Sequence, residues 1–153
     1  MAESLYPFTA FNFRVEINRG TDGFSLVSAA FSECDGLEMS MEIKTIREGG
    51  ANDRQIHLNG PVSYSQLTLK RGMTSNFELW EWFQESMHDP RLRADADVVL
   101  LASDGIKERV KFTLSRCVPV KMKAPAMNAK EGQIAVEELQ IAYETLQFAP
   151  PKS

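Results

Sequence analysis

No stretch of about eighteen consecutive apolar residues occurs in this chain of 153 residues, so no membrane-crossing helix or anchor is expected. The opening MAESLYPFTAF has neither a positive n-region nor an apolar h-region, and no secretory signal is expected there. Cysteine is scarce. Cys34 and Cys117 stand alone in separate apolar stretches and read as buried free thiols of a cytosolic protein, although spacing alone leaves a disulfide open. The two histidines share no spacing with them, which argues against a zinc site. Basic runs are also missing. LKR at 69–71 and VKMK at 120–123 are short and isolated, and the formal net charge of -4 points away from nucleic-acid recognition.

The residues that are present suit one globular domain. At 43% hydrophobic and 25% charged, the composition excludes disordered and fibrous classes, and no repeat, low-complexity tract or linker divides the chain. Its dominant period is two. FNFRVEIN at 11–18 alternates without a fault, GTDG at 20–23 is a turn, and 24–31 is a second strand completing a hairpin. From Gly36 to Gly72 lies the stretch that organises the rest. Met39, Met41, Ile43 and Thr45 alternate with polar neighbours, a polar break follows, and Ile56 and Leu58 resume the pattern. After Asn59-Gly60-Pro61, read as turn geometry, Leu67 and Leu69 continue it. The break is longer than a tight hairpin turn needs, so two strands with a long polar tip form an arm. Such an arm is marginal alone in water and needs a packing partner, another copy of the chain being one candidate.

After Gly72 the period changes. Ser75 and Glu78 fit a capping box, and Leu79, Trp80, Trp82, Phe83 and Met87 recur at helical spacing until Asp89-Pro90 ends the helix, about residues 75–88. Its aromatics are expected to pack on the sheet. VVLL at 98–101 reads as a strand buried on both faces, Ser103-Asp104-Gly105 as a turn, and 110–115 as its hairpin mate. Pro119 marks an edge, bulge or break. The last strand is expected over 133–147, with a β-bulge at Glu137-Glu138 because the apolar phase slips there. The fold class is therefore mainly β, an antiparallel sandwich or partly closed barrel with one helix.

Candidate chemistry is thin. His57 sits in a strand and His88 after the helix, with no sequence partner for catalysis. Glu137 and Glu138 are strand neighbours that point to opposite faces and do not converge as an acid/base pair. The glycine loops at 48–50 and 59–61 open no helix and match no phosphate-binding spacing. No catalytic, metal or cofactor residues are assigned, which leaves a structural subunit, a binding module or an undetected enzyme open.

A collinear series of motifs narrows this. FSECDGLE at 31–38, EGGAN at 48–52, YSQLTLKRG at 64–72, LWEW at 79–82, PVK at 119–121, PAMNA at 125–129 and AVEEL at 135–139 run in one order. In that order the chain resembles the tail-tube protein family of contractile-tailed phages and phage-like contractile injection systems, and more distantly the tube protein of type VI secretion. It departs from the family pattern at two places. Leu58-Asn59-Gly60 stands where Leu-Pro-Gly is usual, and Arg116-Cys117 where Asn-Ala is frequent.

The resemblance implies a single tail-tube domain over 1–153, frayed from about 149. It implies a structural role in an inner tube: six-membered rings stacked around a central channel and driven through a target envelope by sheath contraction. A tube-initiating baseplate subunit or a tube-terminating cap of the same fold is the alternative. The implied partners are further copies of the chain, a contractile sheath protein, baseplate and tube-initiator proteins, and luminal cargo or a tape-measure protein. No enzyme activity and no cofactor are implied. Assembly is expected in the cytoplasm, and the product is a virion tail or tail-like particle. Within this frame the polar tip Glu48, Gly49, Gly50, Ala51, Asn52, Asp53 and Arg54 is the candidate self-assembly loop.

Overall fold

Alternating sequence makes alternating burial, and the computed structural model shows this at residues 67–72 and 136–142. It describes residues 12–19, 24–29, 31–47, 55–73, 77–127, 129–130, 132 and 134–150. Among the described residues, ten strands and one helix follow in the order β1 Phe13–Arg19, β2 Phe24–Ala29, β3 Glu33–Asp35, β4 Met39–Arg47, β5 Gln55–Tyr64, β6 Leu67–Gly72, α1 Glu78–His88, β7 Ala94–Leu101, β8 Glu108–Lys123, β9 Val136–Ala142 and β10 Thr145–Ala149. All pairings are antiparallel. The fold is mainly β with no closed barrel among the described residues.

One strand joins the two halves of the body. The first part of β8 lies between β7 and β10 in a sheet that continues through β1 to β2. Its second part pairs with β9, which continues through β6 to β3. Between the two parts the chain bends at Arg116, which has a φ of 55°, and the register against β9 shifts between Pro119 and Lys121. Pro119 thus marks a bulge inside a continuing strand, where a missing amide donor costs nothing.

The inward phases of both sheets meet in one core. Val15, Ile17, Ala96, Val98 and Leu114 come from the first sheet, and Leu67, Leu69, Leu139 and Ile141 from the second. Val98 and Val99 are both buried, as the apolar run predicts. Helix α1 lies against β8 and β2 and adds Leu79 and Trp82 to the core. It begins at Glu78 with Phe77 in the N-cap position; the expected capping box involves Ser75, which lies outside the described residues. Asp89 is extended, as a residue before proline must be. The turn at Asp104 is held by its own carboxylate, which accepts amide bonds from Ile106 and Lys107 at 2.9 and 3.0 Å. Those bonds hold its pKa below the usual carboxylate value.

The expected last strand is two strands, divided at Tyr143-Glu144, and no bulge interrupts Glu137-Glu138. Glu137 keeps phase with Leu139 and Ile141 and points into the core. It accepts a bond from Arg71 Nε, and its other oxygen accepts the Trp80 indole N–H at 2.7 Å. Arg71 also lies 5.8 Å from the centre of the Phe31 ring. A charged residue in a core position mimics a phase slip in sequence, whereas the pairing shows an intact strand and a buried ion pair.

Candidate assembly surface

The arm expected from the sequence is present as β4 and β5. Among the described residues they pair only with one another, outside the eight-stranded sheet. Its root is tightly held. Gly36 has a φ of 106°, and a Cβ there would lie 2.0 Å from the Gln66 carbonyl oxygen, so only glycine fits. The Tyr143 hydroxyl donates to the Gly36 carbonyl at 2.9 Å, and the Ser65 amide donates to Glu38 O at 3.1 Å. Tyr64 stacks at a tilt on Tyr143, 5.7 Å between ring centres. Burial raises the Tyr143 pKa, consistent with a phenol that stays protonated as a donor.

Beyond the root the arm leaves the body. Met39, Met41, Ile43, Ile46, Ile56, Leu58 and Val62 are all exposed, with Ile43 at 60%. Single exposed apolar residues are ordinary, but seven on one two-stranded element leave it far more apolar on its surface than the strands of the body. The polar tip, residues 48–54, lies outside the described residues, so its candidate role carries forward as a proposal.

Asn59-Gly60-Pro61 is not the turn its composition suggests. It lies inside β5, where Gly60 and Pro61 together oppose Glu42, because Met41 pairs with Val62 and Ile43 with Asn59. A Cβ at Gly60 would come within 2.5 Å of the Glu42 carbonyl oxygen. Glycine is needed here for close approach of backbones rather than for positive φ.

The outward faces of the two sheets are polar. On the second, Glu33, Lys70, Glu138 and Lys123 are successive cross-strand partners, a row of alternating charge over four strands. Lys70 Nζ is 3.5 Å from Glu33. On the first, Glu16 and Asp97 oppose each other as like charges. Thr113 donates to Asp97 at 3.0 Å, Lys111 approaches it at 3.6 Å, and Arg14 lies 3.0 Å from Glu16.

Among the described residues no cluster of three or more His, Cys, Asp or Glu could hold a metal ion. His57 and His88 are exposed. Cys117 is buried and Cys34 half-buried, and both are free thiols. Burial, aided by Asp35 at Cys34 and Asp95 at Cys117, pushes both thiols up to about 12, so neither is an activated nucleophile. A groove of about 320 Å³ opens between the sheets beside Cys34, walled by Phe13, Leu37, Leu100 and Phe112. Its polar lining is Ser32 and Glu33, which already have partners on β6: Ser32 donates to the Lys70 carbonyl and Glu33 lies 3.5 Å from Lys70 Nζ.

The sequence reading missed the apolar character of both arm faces and the Arg71–Glu137–Trp80 network. A signal for the network was available. Arg71 follows Leu67 and Leu69 in phase, Glu137 precedes Leu139 and Ile141 in phase, and two opposite charges in core positions suit each other.

No curated protein sequence matches the chain. Among solved structures, it is similar to a chain of the anti-feeding prophage baseplate, 6-fold symmetrised, at 23% identity, with a TM-score of 0.81 over 96% of this chain and 98% of that one. It is similar to a chain of the PVC sheath-tube complex of an extracellular contractile injection system in the extended state, at 21% identity and a TM-score of 0.80, covering 95% and 93%. A third, from the tube-terminating cap of the anti-feeding prophage, is 18% identical with a TM-score of 0.81, covering 98% and 95%. The family model of the T4-like virus tail tube protein gp19 matches residues 9–147, nearly the whole chain, and the chain belongs to that family.

Proposed function

We propose that this chain is a wall subunit of the inner tube of a contractile tail or injection particle. Its copies form six-membered rings that stack around a channel, and sheath contraction drives the tube through a target envelope. The observation that carries this reading is the arm, an apolar two-stranded element that its own chain leaves uncovered. A head-to-tail contact closes into a ring when its rotation allows, and stacking extends the ring into a tube. Residues 48–54, at the arm's tip, contact a neighbouring subunit. The polar outer face of one sheet lines the channel, where luminal cargo or a tape-measure protein passes.

The other partners are the sheath protein outside the tube and baseplate proteins at its start. The chain acts as one domain and performs no chemistry. Assembly takes place in the cytoplasm, and the product is a tail or tail-like particle. A second reading, a tube initiator or a terminating cap of the same fold, draws support from the similarity to the baseplate and cap chains.

Electron microscopy of the purified protein separates the two readings. Long stacked tubes support the wall subunit, and single rings or monomers support the initiator or cap. Deleting residues 48–54 should leave a folded subunit, judged by its circular dichroism melt, that no longer polymerises. Normal tubes from the deletion variant would refute the role of the tip.

A further inference from the structure

The arm leaves the body through two short crossings, residues 36–38 on the way out and 65–66 on the way back. The crossings touch closely. Gly36 lies so near the Gln66 carbonyl oxygen that a Cβ there would come within 2.0 Å of it. This contact fixes where the arm crosses, but two adjacent crossings still make a hinge. Strands β4 and β5 can swing together about the line through Gly36 and Gln66 without breaking a bond of their own ladder.

The bonds at the root fall into two classes. Ser65 binds Glu38 twice, amide to carbonyl at 3.1 Å and hydroxyl to Oε2 at 3.2 Å, and the Glu38 amide donates to the Gly36 carbonyl at 2.9 Å. These bonds stay within the root. The second class reaches in from the body. Tyr143 stands between β9 and β10, where the chain passes from the second sheet to the first, and it is 8% exposed. Its hydroxyl lies 2.9 Å from the Gly36 carbonyl and 3.4 Å from the Glu38 carbonyl. Its ring meets that of Tyr64, the last residue of β5. One side chain of the body thus holds the outgoing crossing by its oxygen and the returning strand by its ring.

The backbone does not require this hydroxyl. The Gly36 and Glu38 carbonyls each accept an amide already, so loss of the phenol would leave neither unpaired. What the hydroxyl adds is restraint. Glu38 and Tyr64 lie on the arm's side of the hinge line, and contacts set off a hinge line oppose rotation about it. We infer that Tyr143 is a latch that sets the direction of the arm in the free subunit, before any neighbour is present.

An element that is already oriented loses less freedom when it associates, so a preset arm lowers the cost of polymerisation. That consequence rests on the tube-subunit reading. The preset direction does not, because it is a property of one chain.

The test reads the distance from arm to body in the monomer fraction of the full chain. The ketone-bearing amino acid para-acetylphenylalanine replaces Lys44 on β4 and Lys121 on β8, both exposed, and carries nitroxide labels that leave the two thiols untouched. Pulsed double electron resonance should give one narrow distance distribution. Tyr143→Phe keeps the ring and removes the hydroxyl. It should broaden the distribution while lowering the melting temperature by only about 2–4 °C. Ser65→Ala removes a bond that stays within the root and should leave the width unchanged. Under the tube-subunit reading, Tyr143→Phe should also raise the critical concentration for polymerisation by roughly fivefold, the factor one hydrogen bond of ordinary strength maintains. A broad distribution in the chain that keeps Tyr143, or a width that Tyr143→Phe does not change, would overturn the latch. A broadened distribution with an unchanged critical concentration would uphold the latch and remove the arm's direction from assembly.

Discussion

Glu137 is 1% exposed and Arg71 4%, so each charge depends on the other and on the Trp80 indole for what water no longer supplies. Removing Glu137 takes away the carboxylate to which Arg71 Nε and the Trp80 indole donate. Glu137→Leu is expected to cost about 3–5 kcal/mol, which lowers the melting temperature by about 10 °C for a domain of this size. Arg71→Met combined with Glu137→Leu should recover most of that loss in a thermal melt, because an apolar pair leaves no buried charge. Arg116 makes a second residue-scale case. Its φ of 55° is left-handed, a region costing an ordinary residue roughly 1–2 kcal/mol and tolerated better by Asn. Its ion pair with Glu144, at 2.9 Å with both side chains more than half exposed, contributes about 0–1 kcal/mol in return. Arg116→Asn should therefore raise the melting temperature by about 1–2 °C, whereas the β-branched Arg116→Val should lower it.

At the scale of the element, Gly60 separates folding from assembly. A Cβ at this position would meet the Glu42 carbonyl oxygen at 2.5 Å, and that backbone atom can move only if the bulge does. The arm packs little on its own body, so its distortion is only weakly coupled to the core. Gly60→Ala is expected to shift the subunit's melting temperature by less than about 2 °C while sharply reducing pelletable polymer in a sedimentation assay. The bulge also marks the limit of what sequence could tell. The strands, the arm and the helix were legible because simple alternation and 3.6-residue spacing determine which side chains face the core. Asn-Gly-Pro, by contrast, has the composition of a turn whether it ends a strand or bulges one, and only pairing with Glu42 decides. The phase of Glu137 was misread for a related reason: a buried charge looks polar in sequence, and its partner lies 66 positions away. The tip at residues 48–54 was legible as a polar break and no further, since contacts between copies leave no period in one chain.

At the scale of the molecule, both thiols lie along the seam between the two sheets. Cys34 is on β3 beside the groove, and Cys117 is in the core where β8 passes from one sheet to the other. In the folded chain both are pushed up to about 12 from an ordinary value of 9.0, chiefly by burial. Between these values the unfolded chain has released both protons and the folded chain keeps them. The folded state then binds more protons, so stability falls as pH rises, by up to about 1.4 kcal/mol per unit for each thiol. Below pH 9 both states hold the protons and the effect vanishes. Tyr143, raised from 10.0 by burial, adds to the fall only above that pH. Urea melts between pH 7 and 10 should therefore be flat to about pH 9 and then decline. A Cys34→Ala, Cys117→Ala variant, less stable at neutral pH because Cys117 leaves a small void, should keep its lower stability nearly constant from pH 9 to 10. An equally steep decline in that variant would show that the thiols of the seam do not govern the alkaline limit.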